Sequence, residues 1–550
     1  MENTRTLLLV ALAMLGMMLW EAWNVDYGPK PVAETATEAA THKASETKTD
    51  PGTPTTPQEA NAGSSNTLSD MLASGKTIDV KTDVLHLEID TKGGVIRAAD
   101  LVKYSVSLDE PNNAFHLISD IPEKYFVAQT GLLGAKTNTS AVPDHNAIFV
   151  AAQENYVLKQ GEEKLEVAMT WQSPEGVSVR KIYTFYPGKY LIDSRYEVQN
   201  NSSAELAIYP YSQYQRVFQK AESKFINTYT GGVIHSDEDK YKKITFAKMD
   251  DENLKKEVQG GWVAMIQHYF LSAWVPNKDD KNQFYSSVRT SELGKLYTLG
   301  MVSSAKILIP PGAKQTTETK LYIGPKLQTN LKQIAPGLEL TVDYGVLDII
   351  ARPIYWLMEK IHSFVGNWGW TIILLTILIK LTFFKLSETS YKSMANMRKL
   401  TPRMTQLKER FGDDRQGLNQ AMMEMYKKEK INPLGGCLPI LVQIPVFISL
   451  YWVLLESVEM RQAPFILWIH DLSAMDPYYV LPVIMGISMV IQQKLNPAPI
   501  DPIQQKIMMV LPLVFTVFFV FFPSGLVLYW VVNNMLSITQ QWVITKRIAG

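Results

Sequence analysis

The chain has 550 residues, room for roughly three domain-sized units. Lys plus Arg and Asp plus Glu balance at 54 each, so overall charge points to no partner class, DNA included, and any electrostatic function must be local. A single cysteine, Cys437, excludes an intrachain disulfide.

The first element is the apolar run Thr6–Trp20, preceded by Arg5 and closed by Trp20 and Trp23. No small-residue cleavage site follows it, which favours a retained transmembrane anchor over residues 1–25 rather than a signal peptide. Residues 26–70 are rich in Thr, Ala, Glu, Pro and Ser and carry too little apolar surface to fold; a disordered tether is expected. Residues 71–340 read as strands. "KLEVAMTW", "VSVRKIYTFY" and "YLIDSRYEV" alternate β-branched or aromatic with polar residues, and turn signals such as "TKGG", "SPEG" and "YPGK" punctuate them. A β-sandwich is expected. It contains no metal-ligand spacing and no nucleophile–base motif, so it reads as a solvated scaffold.

Residues 341–366 place Leu347, Ile350, Ile354, Leu357 and Ile361 on one stripe, with charges mostly off it. This predicts an amphipathic helix in the membrane interface, the alternative being a helix packed on the soluble domain. Residues 367–550 read as a five-helix membrane core. The candidate spans are Trp368–Phe384, Leu434–Leu455, Tyr478–Gln492, Ile507–Phe522 and Gly525–Val543, which with the anchor make six. The segment Lys385–Pro433 between the first two core spans carries eleven basic and six acidic residues, whereas Glu456–Asp476 has one basic residue, Arg461. The positive-inside rule then puts both termini and the Lys385–Pro433 segment in the cytoplasm and the β domain outside it.

Residues 385–433 predict a cytoplasmic helical hairpin. Met394, Met397, Leu400, Met404, Leu407 and Phe411 recur at helical spacing before a turn at "FGDD". Leu418, Met422, Met425 and Tyr426 follow on a second helix. The methionine stripe is read both as the hairpin seam and as an adaptable surface for varied chains. Met394, Met397, Arg398, Met404, Asp413, Asp414, Met422 and Met425 are the candidate contact residues for a client or a ribosome.

Within the spans, polar residues gather toward the cytoplasmic half: Lys380, Gln443, Ser488, Gln492, Asn533, Asn534, Ser537 and Thr539. Thr376 and Thr516 sit near mid-depth. No Asp or Glu lies deep in a span near Lys380. Lys380 is roughly 7 Å from the cytoplasmic end of its helix, so two readings stay open. It is a charge in a hydrophilic cavity, or it snorkels to the interface. Alternatives of other classes are a secondary transporter, for which no internal repeat is seen, and a membrane-anchored enzyme built on the β domain.

"INPLGGCLPILVQIPVFISLY", "MRQAPFILWIHDLSAMDPYYVLP", "DPIQQKIMMVLPLVFTVFF" and "FPSGLVLYWVVNN" resemble the YidC/Oxa/Alb family of membrane insertases, in its Gram-negative form. The resemblance covers Asp343–Ile544 closely and the preceding elements in order. It implies a polytopic α-helical membrane protein of six transmembrane helices, with a large periplasmic β-sandwich of the supersandwich type and a cytoplasmic helical hairpin. It implies a non-enzymatic insertase and chaperone of the bacterial inner membrane that needs no cofactor. Its groove would be open to cytoplasm and lipid and would carry a positive residue, usually arginine, at the position of Lys380. Thr376 matches a substrate-contact position, and Trp530, after Tyr529, stands where the family has tyrosine. With Gln443, Ser488, Gln492, Thr516, Asn533 and Asn534 these form the expected groove. The implied partners are nascent membrane proteins, the Sec translocon (SecYEG with SecDF) and membrane lipids, with the ribosome and the signal-recognition-particle receptor as further candidates.

Overall fold

The computed structural model describes residues 74–218, 228–292, 294–412, 414–429, 438–496 and 502–549. The expected anchor and tether, and Asp413 of the hairpin, lie outside the described residues.

Strand alternation builds a two-sheet body. In Leu191–Asn200 the residues Ile192, Ser194, Tyr196, Val198 and Asn200 are buried while their neighbours are half-exposed, the period of two that one inward sheet face requires. An eleven-stranded sheet runs from Lys255–Gln259, through the antiparallel pair Leu206–Val217 and Phe126–Gly134, to Asn155–Val157. A nine-stranded sheet runs from Lys242–Ile244, through Lys314–Pro325 and Leu191–Asn200, to Val150–Ala151. Between them lies a core that includes Leu87, Ile89, Phe126, Tyr183, Tyr214, Trp262 and Trp274.

The "TKGG" signal is a turn in which Gly93 and Gly94 have φ of 70° and 60°. Both carbonyls turn inward and accept from the Nζ of the fully buried Lys181, at 2.7 and 3.0 Å. A Cβ on Gly94 would lie 2.8 Å from the Lys181 chain, so glycine is needed for space as well as for φ. Burial drives the Lys181 ammonium well below the usual lysine range.

From Asp348 onward, nine α-helices make up the described helical body. They are α1 (Asp348–Val365), α2 (Trp368–Thr382), α3 (Phe384–Lys399), α4 (Thr401–Phe411), α5 (Arg415–Lys428), α6 (Leu438–Glu456), α7 (Val480–Leu495), α8 (Pro502–Phe519) and α9 (Ser524–Ala549). "VGNW" separates the first two. Gly366 ends α1 at φ 68°, its amide donating to the His362 carbonyl, and the Asn367 side chain accepts from the Trp370 amide to start α2. The amphipathic α1 buries Ala351, Ile354, Tyr355 and Met358 against α2 and α6, and leaves Ile349, Trp356 and Phe364 exposed.

Two expectations change. The first hairpin arm is not one helix: it breaks at Leu400, because Pro402 has no amide to continue the ladder and instead sits in the first turn of a new helix that starts at Thr401. The hairpin proper is α4 with α5. The α3 helix instead continues α2 after a 67° bend at Phe383 and packs against α9 and α6. Among the described residues no single helix is long and apolar enough to cross a membrane alone; α2 and α3 pass that test only as a bent pair.

Candidate functional site

The ends of α2 and α6 and the middle of α9 bring polar side chains together at one level. Gln443 on α6 donates from Nε2 to Oδ1 of Asn533 on α9, at 2.6 Å. One turn further along α9, Ser537 donates its hydroxyl to the Asn533 carbonyl at 2.7 Å and accepts from Lys380 Nζ at 2.7 Å. No described carboxylate pairs with Lys380.

These groups face an open-sided cavity of about 480 Å³. Its polar wall contains Lys380, Gln443, Gln492, Asn533 and Asn534, together with Ser387, Ser390, Tyr391, Gln493, Asn496 and Ser537. Its apolar wall contains Ile444, Phe447, Met489, Met508, Leu511 and Trp530. Tyr529 also lines it, and the buried Trp530 Nε1 has no hydrogen-bond partner among the described residues. Toward the sandwich the cavity ends on a cluster of rings packed edge-to-face and tilted. Trp530 lies 4.7 Å from Phe447 and 5.4 Å from Phe519, which lies 5.3 Å from Phe522.

Three expected groove residues stand elsewhere. Thr376 is buried and its hydroxyl donates to the Ile372 carbonyl at 2.6 Å, four residues back in its own helix. Thr516 does the same to Pro512 at 2.7 Å, and packs against Gly486 of α7. Ser488 is buried behind the cavity wall, where it accepts from Asn534 Nδ2 at 3.0 Å and donates to the Met485 carbonyl at 2.6 Å. A threonine hydroxyl satisfied by its own helix carries no information about a cavity.

Sequence reasoning missed Ser387, Ser390 and Tyr391. Their spacing of i, i+3, i+4 puts small polar and aromatic groups on one face of α3, a signal hidden by the expectation that α3 belongs to the hairpin. Met394 likewise lines the cavity rather than the hairpin. In the hairpin, Met404 is buried and its sulfur meets the Tyr426 hydroxyl at 3.8 Å; Met422 and Met425 are half-buried. The Asp414 carboxylate accepts from the Gly417 amide and caps α5. Met397 is half-buried and Arg398 exposed on α3.

The helical body is joined to the sandwich by the segment after α6. Arg461 donates to the Ser105 and Val106 carbonyls, and its guanidinium lies 5.8 and 5.5 Å from the Phe115 and Phe270 rings. Gln462, held at φ 56°, exchanges two hydrogen bonds with Ser105 at 3.0 and 3.1 Å. His268 Nε2 bonds the Leu455 carbonyl at 2.8 Å, and burial pushes its imidazole down to about 4. Lys326, buried at the same junction, is lowered to about 8 by desolvation. Burial raises the Glu459 carboxyl, which accepts from the Tyr355 hydroxyl at 2.7 Å.

Two family models match in series: the YidC periplasmic domain over residues 77–357 and the 60Kd inner membrane protein over residues 360–550. The chain is similar to the membrane protein insertase YidC of Methylococcus capsulatus, 51% identical across 100% of this chain and 99% of the relative. The corresponding protein of Thioalkalivibrio sulfidiphilus is 50% identical across the same shares, and that of Pseudomonas aeruginosa 46%. Among solved structures, an active YidC insertase with its first transmembrane domain resolved aligns over 85% of this chain and 92% of that one, at 18% identity and a TM-score of 0.39. Two matching domain models and full-length identities near one half leave one assignment: the chain belongs to the YidC family of membrane protein insertases.

Proposed function

We propose that this protein inserts newly made membrane proteins into the bacterial inner membrane, using the cavity around Lys380 as a transient polar host. The observation that carries the reading is an ammonium held on a neutral hydroxyl, facing a cavity of about 480 Å³, with no described carboxylate paired to it. Burying an unpaired polar group costs several kcal/mol, roughly 1–3 by protein mutational data. A client's acidic segment is attracted to the ammonium and its amides to Gln443, Gln492 and Asn534, which lowers that cost. The apolar wall of methionines and aromatics meets the client's hydrophobic segment, which then partitions into lipid.

Membrane embedding is supported by the outward faces of the helices. Leu374, Leu378 and Leu381 on α2, Ile487 and Ile491 on α7, and Leu513, Val514 and Val517 on α8 are exposed and apolar. We read α2, α6, α7, α8 and α9 as five spans, joined by an N-terminal anchor to make six. The exposed face of α1 lies in the outer interface, and the sandwich is periplasmic. Nascent chains are the substrates. The Sec translocon is a partner through the sandwich, and the basic α4–α5 hairpin faces the ribosome or its targeting receptor.

The test uses proteoliposomes and a client with an acidic translocated tail. Lys380→Ala is expected to abolish its insertion, Lys380→Arg to retain it, and a client with a neutralised tail to depend little on Lys380. Photo-crosslinkers at Tyr391 and Trp530 should capture a stalled nascent chain. Normal insertion of the acidic client by the alanine variant would refute the role of the charge.

A further inference from the structure

Lys380 presents a compact ammonium on a flexible stem, without the planar fork that gives a guanidinium its direction. Such a group needs a seat to keep its direction. Lys380 also lies in the last turn of α2, just before the 67° bend into α3, where small changes in the bend would swing the side chain.

We propose that Ser537 is the positioning residue that aims the Lys380 ammonium into the cavity, and that it thereby sets preference for clients with carboxylates. This deepens the reading given under Proposed function and rests on it. The Ser537 hydroxyl is 2.7 Å from Lys380 Nζ and spends its own proton on the Asn533 carbonyl, also at 2.7 Å. With that proton committed, its oxygen serves as an acceptor, and Lys380 Nζ takes one of its lone pairs. Ser537 is itself 2% exposed, so the seat does not rotate freely. Asn533 is in turn held by Gln443, which ties this turn of α9 to α6.

The choice of a hydroxyl matters chemically. A carboxylate at this place would hold Lys380 equally well but would cancel its charge and compete with the client. A neutral acceptor occupies one of the three N–H groups and leaves two for an incoming carboxylate. The positive charge stays available while its direction is fixed.

The experiment uses the full-length protein in proteoliposomes, with an acidic-tailed client and its neutral-tailed counterpart. Ser537→Ala is expected to slow insertion of the acidic client about tenfold, the scale of one hydrogen bond to a charged group, and to leave the neutral client within about twofold. Ser537→Thr, which keeps the hydroxyl and its bond four residues back, should restore the rate. On the neutral-tailed client, which Lys380→Ala still inserts, adding Ser537→Ala should cause no further loss. Wild-type behaviour of Ser537→Ala beside a disabled Lys380→Ala overturns the positioning role and leaves the groove charge standing. Wild-type behaviour of Lys380→Ala overturns both. Equal losses for both clients, or a further loss in the double variant, show a merely structural serine and overturn the proposal.

Discussion

Replacing Arg461 by alanine should loosen the sandwich from the helical body without unfolding either. The guanidinium makes a short hydrogen bond to the Ser105 carbonyl and a longer one, 3.3 Å, to the Val106 carbonyl. A hydrogen bond from a charged donor contributes roughly 1.5–3 kcal/mol. Placement over the Phe115 and Phe270 rings adds about 0.5–1 kcal/mol. Against this, the Ser105 carbonyl keeps its bond from Gln462 Nε2 at 3.0 Å, so the substitution does not orphan it. The lower end of the range is therefore the better figure, about 2 kcal/mol, or roughly a thirtyfold rise in the undocked population. Hydrogen exchange on the reconstituted full-length protein reads this directly. Peptides covering 103–107 and 457–463 should lose protection by up to that factor, while peptides from the sandwich core around Trp262 and Trp274 should not change. Unaltered exchange in both junction peptides would refute the assignment of Arg461 as a clamp.

The junction should also respond to acid. Burial lowers the His268 imidazole from 6.5 to about 4, so the docked state excludes a proton that the undocked or unfolded chain binds. The His268 contribution to docking is then complete above the ordinary histidine range and is lost as pH falls from about 6.5 toward 4, at most about 3 kcal/mol, while the raised Glu459 carboxyl at the same junction acts in the opposite direction. Exchange at 457–463 against pH should show this slope, and His268→Gln, which keeps a donor for the Leu455 carbonyl but does not titrate, should flatten it. At the α7–α8 contact, a Cβ on Gly486 would lie 2.0 Å from the Thr516 hydroxyl oxygen. Gly486→Ala should therefore destabilise the bundle by about 2 kcal/mol in thermal unfolding, as overpacking does. Thr516→Ala in the same chain should recover most of the loss.

Much of the helical body was legible because its signals are local. Apolar runs gave the helices, and the shared depth of Lys380, Gln443 and Asn533 anticipated side chains that meet at 2.6–2.7 Å through Ser537 and the amides. Other features were not legible, for reasons that are physical. Thr376 and Thr516 look polar in a hydropathy profile, yet each hydroxyl is consumed within its own helix. The 67° bend after α2 redirects Ser387, Ser390 and Tyr391 to the cavity, and no periodicity in a single segment encodes the angle between two. Arg461 drew notice only as the one basic residue of the Glu456–Asp476 segment, beside four carboxylates. Its partners are backbone carbonyls some 350 positions away, which have no signature in side-chain sequence.

The clustered rings of Phe447, Trp530, Phe519 and Phe522 bear on a problem separate from folding or recognition. A membrane that stores energy as an ion gradient cannot tolerate a continuous thread of water or exchangeable protons between its two faces. Conduction needs a file of polar or titratable stepping stones, and no carboxylate or histidine stands among these four rings. In the insertion role proposed above, these four rings would close the polar chamber electrically. A charged stretch of another protein hosted at the depth of Lys380 would then open no polar path past Trp530.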